Sequence, residues 1–451
     1  MIKSAKILMP LLLLFLTSVA RAQETVAVDL SVNNGSAIGR ASGFLHAFNS
    51  TTPTTSTYVT PLKPQEMRSD YVYDEDPSTY ATVVGMGAKP MYILGDAWID
   101  NWGNYNPTNA RVVTSATMST WVTFVQARVN AALAAGQTQF QWDIWNEPDI
   151  SDFWTGTPAQ FYAAWQAAQA AIKGINSSQL VVGPSICCNS AFSMQDFLSF
   201  AHSNNVLPDV LDWHEASYEP SQIPVDYGTY SGYVGANNLG ITKYSITEYG
   251  TDSNTYLPGS NVQYFAAIER AQLYESSHAC WNNGNDCAQN GYPPDLDGAL
   301  QTNATTQNAL WYAYQAYANI TGTVVGVTPS ATVDGVAGQD SNLQQAYSVF
   351  GRNGGSTANI TVTFNNVGSA AYLGAAGAVH VVAYSLPNDN GSGSSGPTQV
   401  ISADYPVSSN SVSVTIPNMG SNDVAIVQLT PGAGSGSTRP SPPVVSQLVV
   451  H

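Results

Sequence analysis

Between Ser42 and residue 321, short apolar runs alternate with amphipathic helices, and this alternation narrows the fold more than any other feature of the chain. Candidate strands end near Phe48, Asp70, Gly95, Asn146, Pro184, His214, Glu248 and Trp281. Helices separate them. Met118 to Ala135 places Trp121, Phe124, Val125, Val129 and Leu133 on one face, with Gly136 as its stop. Thr157-Pro158-Ala159-Gln160 is a capping box with proline in the first turn, opening a helix to about Ile175. Val262 to Ser276 and Gln307 to Asn319 read as two more. Eight strands alternating with helices predict an α/β chain folded as a (β/α)8 TIM barrel. A doubly wound open sheet fits the same alternation.

After Gly322 the helical period ends. Thr323–Val327, Gln345–Phe350, Asn359–Phe364, Val379–Ser385, Ser411–Ile416 and Asp423–Leu429 alternate or are rich in β-branched residues, with turn-rich segments between them. They predict an appended C-terminal β-sandwich. Thr25–Val32 has the same alternation and is expected to join that sandwich as an N-terminal strand within 23–40. The barrel then covers 41–321 and the sandwich 322–431, with 432–451 a Gly-, Ser- and Pro-rich tail. At the start, Lys3 and Lys6, the apolar run Ile7–Leu16 and Ala20-Arg21-Ala22 have the order of a secretory signal peptide over 1–22. Secretion or export to a periplasm is therefore expected, with no membrane association once the signal is removed. Four cysteines suit that setting. Cys280 and Cys287 are expected to close a short loop; Cys187 and Cys188 either pair with each other or pair elsewhere.

Charge excludes one class of partner. With 14 Lys+Arg against 31 Asp+Glu the net charge is −17, so a nucleic-acid polyanion is repelled. Charged residues are only 10% while aromatics are also 10%, so polarity comes from neutral groups, which suits a neutral partner such as a sugar. No His/Cys spacing calls for a metal, and no cofactor is expected.

Two segments carry chemistry. Gln139-Phe-Gln-Trp-Asp-Ile-Trp-Asn-Glu-Pro-Asp149 ends a strand at Asn146-Glu147-Pro148, because proline removes a ladder N–H. Lys243-Tyr-Ser-Ile-Thr-Glu-Tyr-Gly250 is a second strand ending in an acid, Glu248. In a barrel these carboxyl ends share the active face. Cleavage of a glycosidic bond needs such a pair, one protonated to donate to the leaving oxygen and one ionised to attack or to activate water. Arg68, at the end of the second strand, is positioned to keep one of them charged.

Trp145-Asn-Glu-Pro148, followed about one hundred residues later by Thr247-Glu-Tyr249, resembles retaining glycoside hydrolases of clan A, nearest to family 39, the β-xylosidase-like group. The resemblance covers roughly residues 40–320 and the appended sandwich. It implies that Glu147 is the general acid/base, Glu248 the nucleophile, and Asn146 a partner of the sugar 2-hydroxyl. It implies carboxyl groups about 5–5.5 Å apart and a covalent intermediate. His214 and Tyr218 match the sixth strand, where relatives place a His and a Tyr near the nucleophile, although here they are four residues apart. Trp281 falls where the clan stacks an aromatic ring on the sugar, and His46 and Asp96 are candidate hydroxyl partners. Cys187-Cys188 follows the fifth strand, so a bond between them would offer a platform for a sugar. The implied substrate is an oligosaccharide or polysaccharide. An endo-acting glycanase is the alternative to exo cleavage, and a non-catalytic carbohydrate-binding protein is the alternative of another class.

Overall fold

The computed structural model describes residues 24–216, 219–250, 256–279, 295–375 and 377–433. The expected signal peptide, Tyr218, Trp281, the Cys280–Cys287 loop and nearly all of the expected tail lie outside those residues.

The first strand, β1 (Glu24–Asp29), precedes eight short strands: β2 (Gly43–Leu45), β3 (Glu66–Ser69), β4 (Lys89–Ile93), β5 (Gln141–Asp143), β6 (Leu180–Ile186), β7 (Val210–Glu215), β8 (Tyr244–Tyr249) and β9 (Glu275–His278). Each of the eight pairs in parallel with the next, and β9 returns to β2, closing a barrel. The barrel, not the open sheet, is the solution. Its strands are buried on both faces, because helices cover the outside and side chains fill the inside.

The helices α1 (Tyr71–Glu75), α2 (Ser78–Gly85), α3 (Leu94–Ile99), α4 (Met118–Ala134), α5 (Pro158–Ile175), α6 (Met194–Ser203), α7 (Ile223–Ala236), α8 (Pro258–Ala271) and α9 (Ala309–Ala318) lie among and after these strands. The capping box of α5 forms as written: Thr157 accepts from the Gln160 N–H, and the Gln160 side chain accepts from the Thr157 N–H. Phe161, Trp165, Ala168 and Ile172 then line its buried face. The helix expected over Val262–Ser276 is shorter. It stops at Ala271, Gln272 turns left-handed at φ 52°, and Glu275–Ser277 are drawn into the barrel as β9. The strand expected to end near Trp281 therefore starts inside the stretch expected to be helical, and it is polar. Those polar groups are satisfied inside the barrel by Lys89, Gln141 and Glu66.

The C-terminal strands are β10 (Thr323–Val324), β11 (Gly326–Thr328), β12 (Val333–Asp340), β13 (Gln345–Arg352), β14 (Ala358–Asn365), β15 (Ala378–Leu386), β16 (Thr398–Pro406), β17 (Ser411–Met419) and β18 (Val424–Pro431). They form two sheets, ordered β11-β1-β14-β17 and β10-β12-β13-β18-β15-β16. Strand β1 pairs in parallel with β14 and antiparallel with β11, and it buries Val26 and Val28 against Ile360, Val362, Val414 and Val427. Two strands were illegible in sequence. β12 carries Gly335 and Gly338, where a Cβ would fall 2.2 Å from the Val349 carbonyl and 2.6 Å from Ile320. β16 is a largely exposed edge strand with little apolar alternation.

Helix α8 joins the two parts. Its first turn packs backbone to backbone on the sandwich: Gly259 N–H donates to the Asn422 carbonyl at 2.9 Å, and a Cβ on Gly351 would stand 2.1 Å from the Gly259 carbonyl. The barrel is thereby fixed against the sandwich, and its strand ends are left to carry the site.

Candidate active site

Glu248 is the fifth residue of β8. Glu147 follows β5 by four residues, at φ 42°, a left-handed conformation rare for a side chain of its size. Two contacts hold it there. Its N–H donates to the Ser185 carbonyl of β6 at 3.0 Å. Trp145, two residues before it, packs so closely on Gly95 that a Cβ at 95 would lie 2.9 Å from the Trp145 Cα. One carboxylate oxygen each of Glu147 and Glu248 and a ring nitrogen of His214 all lie within 4.8 Å of one another. The two acids that the sequence separates by a hundred residues therefore meet across a single gap.

Arg68, on β3 and fully buried, organises Glu248. Its Nη1 donates to Glu248 Oε1 at 2.8 Å, its Nη2 to Asn146 Oδ1 at 2.7 Å, and its Nε and Nη2 to Asp143 Oδ2 at 2.9 and 2.7 Å. Every face of the guanidinium fork is in use, which fixes the nucleophile candidate as a planar, charge-assisted pair. Asp143 also accepts from Ser185 Oγ at 2.9 Å. Asp212, on β7, accepts from both the N–H and the hydroxyl of Thr247, the residue before Glu248 on β8.

Glu147 is differently placed. It is 8% exposed, and burial, reinforced by the nearby Asp149 against the opposing pull of Arg68, pushes its pKa up to about 7. His214 Nδ1 lies 2.8 Å from Glu147 Oε1 and 3.8 Å from Glu248 Oε2. Burial lowers the His214 pKa to about 4, so the imidazole is neutral at neutral pH and the Glu147 contact is a hydrogen bond between a neutral ring and the acid. The His expected beside the nucleophile thus touches the acid/base candidate first. Its neighbour Glu215 turns away and takes the Trp213 indole N–H at 2.8 Å.

A cavity of about 360 Å³ adjoins Glu248 and is lined also by His46, Asp70, Asp96 and Asn146, together with Ile99, Arg111 and Phe153. His46 follows β2, as expected. Asp96 does not end a strand. β4 stops at Ile93, and Asp96 stands in the first turn of α3. Asn146 reaches the cavity, with its Oδ1 already committed to Arg68. Asp143, Asp70 and Asp149 were missed as site residues. Asp143 lies within the same informative segment as Glu147, and Asp70 follows Arg68 by two residues, so their strand positions were the available signal.

Cys187 and Cys188 are bonded to each other. Asp149 seats the pair by accepting the N–H groups of Cys187, Cys188 and Ser190 at 2.9, 2.9 and 3.1 Å. Neither cysteine lines the cavity that holds Glu248.

Residues 105–246 match the family model of glycosyl hydrolases family 39, a span that includes Glu147 and His214 and stops just short of Glu248. That stretch, about a third of the chain, is similar to the family 39 glycosyl hydrolases. The chain is 28% identical over 143 residues to a 3-O-beta-L-arabinopyranosyl-alpha-L-arabinofuranosidase of Bifidobacterium pseudocatenulatum, covering 32% of this chain and 14% of that protein. It is 30% identical over 73 residues to a beta-xylosidase of Geobacillus stearothermophilus, covering 16% of this chain and 14% of that protein. The chain therefore matches only about a seventh of the length of these curated relatives. A solved structure from Neocallimastix frontalis superimposes with a TM-score of 0.75 at 23% identity, over 91% of this chain and all of the other, and so shares the barrel-and-sandwich fold.

Proposed function

We propose that this chain is a retaining glycoside hydrolase in which Glu248 is the nucleophile and Glu147 the general acid/base. The observation that carries the reading is the closeness of the two carboxylates, whose oxygens come within 4.8 Å. Retaining enzymes hold their carboxyl groups roughly 5–5.5 Å apart, whereas inverting enzymes leave roughly 6.5–9.5 Å for a water. The division of labour follows from the surroundings. Arg68 pairs directly with Glu248, while among the described residues Glu147 has no Lys or Arg in contact and is held by a neutral His214.

In the first step Glu248 attacks the anomeric carbon as the bond to the leaving oxygen breaks. The proton of Glu147 passes to that oxygen, and a glycosyl ester forms on Glu248. In the second step the Glu147 carboxylate takes a proton from water, the water oxygen bonds to the anomeric carbon, and the ester bond to Glu248 breaks. The Asn146 amide faces the same cavity and suits the 2-hydroxyl, whose hydrogen bond strengthens as charge develops on the ring.

The substrate class we favour is an oligosaccharide ending in a neutral sugar, cleaved in β-xylosidase-like exo fashion. The named activities of the two relatives, both acting on pentosides, support this class. We extend the proposal to an exported enzyme, on the order of charged, apolar and small residues over 1–22. The deciding experiment is proton NMR of the first anomer released from aryl β-D-xyloside and aryl α-L-arabinofuranoside. Retention supports the pairing, and inversion overturns it. Absence of turnover with these and with a wider panel of glycosides would favour a carbohydrate-binding protein instead.

A further inference from the structure

The turn that carries Glu147 is laced to the loop after β6, and the lacing runs through one buried side chain. Asp149 is 1% exposed and lies two residues beyond Glu147. Its carboxylate accepts the N–H groups of Cys187, Cys188 and Ser190, and its carbonyl accepts the Ala191 N–H at 3.0 Å. On the other side of Pro148, the Glu147 N–H is tied to the Ser185 carbonyl of the same stretch. Glu147 is therefore held at its left-handed φ from both sides by one neighbouring segment. Two of the three side-chain donors that Asp149 takes belong to the bonded cysteines. A bond between adjacent residues closes a small ring and restricts the backbone between them, so these two N–H groups are presented together. Cys187 is half-buried and Cys188 exposed, so the bond lies toward solvent while the carboxylate it serves does not. An acid at position 149 is informative. A neutral amide oxygen accepts an N–H equally well, whereas a carboxylate also places a negative charge in a buried setting beside a second acid. Glu147 faces Arg68 of β3, His214 of β7 and Glu248 of β8, with Asp149 and Asp152 on its own segment. Among these charges Asp149 has the largest influence on its proton, second only to burial.

We propose that Asp149 is a positioning residue for Glu147, and that the Cys187–Cys188 bond keeps it in that role by fixing the donors that seat it. The inference rests on the acid/base reading of Glu147 and deepens it: the hold of that acid on its proton is set from outside the cavity, by a cysteine pair in a solvent-facing loop. Asp149 acts in two ways. It anchors the turn after Glu147, and its charge opposes ionisation of the Glu147 carboxyl. Without the charge, the pKa of Glu147 falls from about 7 toward its ordinary value, and the acid form is lost at a lower pH. Without the bond between the cysteines, the Cys187 and Cys188 N–H groups are no longer held side by side, and the carboxylate loses its fixed seat.

The test measures kcat/KM against pH for wild type, Asp149→Asn and the double variant Cys187→Ala/Cys188→Ala. The substrates are the methoxyphenyl and dinitrophenyl glycosides of whichever sugar, β-D-xylose or α-L-arabinofuranose, the wild type releases. With the methoxyphenyl leaving group, which needs the proton of Glu147, we expect the alkaline limb of Asp149→Asn to move toward acid by about half a pH unit or more, about threefold in kcat/KM at pH 8. The double variant should move in the same direction. The dinitrophenyl glycoside, which leaves with little protonation, should stay within about twofold of wild type in both variants. A merely structural Asp149 would instead lower both substrates alike at every pH and leave the limb in place, and that result overturns the proposal. A limb that moves in Asp149→Asn but not in the double variant overturns the part given to the disulfide. Thermal denaturation gives a reading that needs no turnover. The Tm difference between each protein and the same protein carrying Glu147→Gln follows the titration of Glu147 with pH. Its midpoint, near pH 7 in wild type, should move toward acid in both variants. If wild type turns over no glycoside, the hydrolase reading falls, and this midpoint decides the coupling alone: moved, it keeps the coupling of Asp149 to Glu147, and unmoved, it overturns it.

Discussion

Replacing Glu147 with glutamine separates two consequences of burying an acid. The first is kinetic. With its pKa pushed to about 7, Glu147 is roughly nine-tenths protonated at pH 6, whereas at its ordinary 4.5 it would be roughly three per cent protonated, a difference of about thirty-fold in available acid. For substrates with poor leaving groups, kcat/KM of the wild type should fall tenfold per unit above pH 7. Glu147→Gln should remove that limb together with most of the rate. Activated dinitrophenyl glycosides should retain their first step in the variant while release of the glycosyl-enzyme slows. The second consequence concerns stability. A carboxyl whose folded pKa lies above its unfolded value binds more protons when folded. Its stabilising contribution is complete below pH 4.5 and is lost as pH rises through 7. The shift corresponds to roughly 3 kcal/mol. Thermal denaturation should therefore find the wild type losing several degrees relative to Glu147→Gln between pH 4 and pH 8. A stability difference that does not change with pH, or an alkaline limb near pH 4.5, would refute the assignment of a raised pKa and with it the acid/base role.

Other perturbations follow from the same contacts. Glu248→Gln should lower kcat by more than about a thousand-fold at every pH, with no glycosyl-enzyme detected by intact-mass spectrometry. Arg68→Met strands the buried Asp143 and Glu248 carboxylates and should cost about 3–5 kcal/mol in chemical denaturation, as well as most activity. Gly95→Ala places a methyl group 2.8 Å from the Trp145 ring and should destabilise by about 1–3 kcal/mol while lowering kcat through displacement of Asn146 and Glu147. Val28→Ala opens a void between the two sandwich sheets and should cost about 2 kcal/mol without changing KM.

The barrel was legible because strands flanked by helices impose a pattern that survives in one dimension. Glu147 and Glu248 were legible because proline and glycine mark where their strands stop. What escaped was whatever depends on neighbours remote in sequence. The start of β9 reads as helix because the strand is polar, its partners Lys89, Gln141 and Glu66 coming from three other strands. β12 is glycine-rich because other segments crowd it. His214 pairs with Glu147 rather than chiefly with Glu248 because strand register, not spacing, decides which acid its ring meets. Asp70 drew no attention because an aspartate after a strand ordinarily caps a helix, whereas here the side chain makes no cap to α1.

The placement of β1 has a bearing on how the molecule is assembled. Made well before the strands it pairs with, this segment has no lasting neighbours until residues 326–365 exist, so its register waits for nearly three hundred intervening residues to be made. Contacts of such separation close slowly. The two parts of the molecule thus share one topological fastening. Any break in the chain that leaves the catalytic half whole but lacks the distal sheets would leave an apolar leading strand searching for company in other molecules.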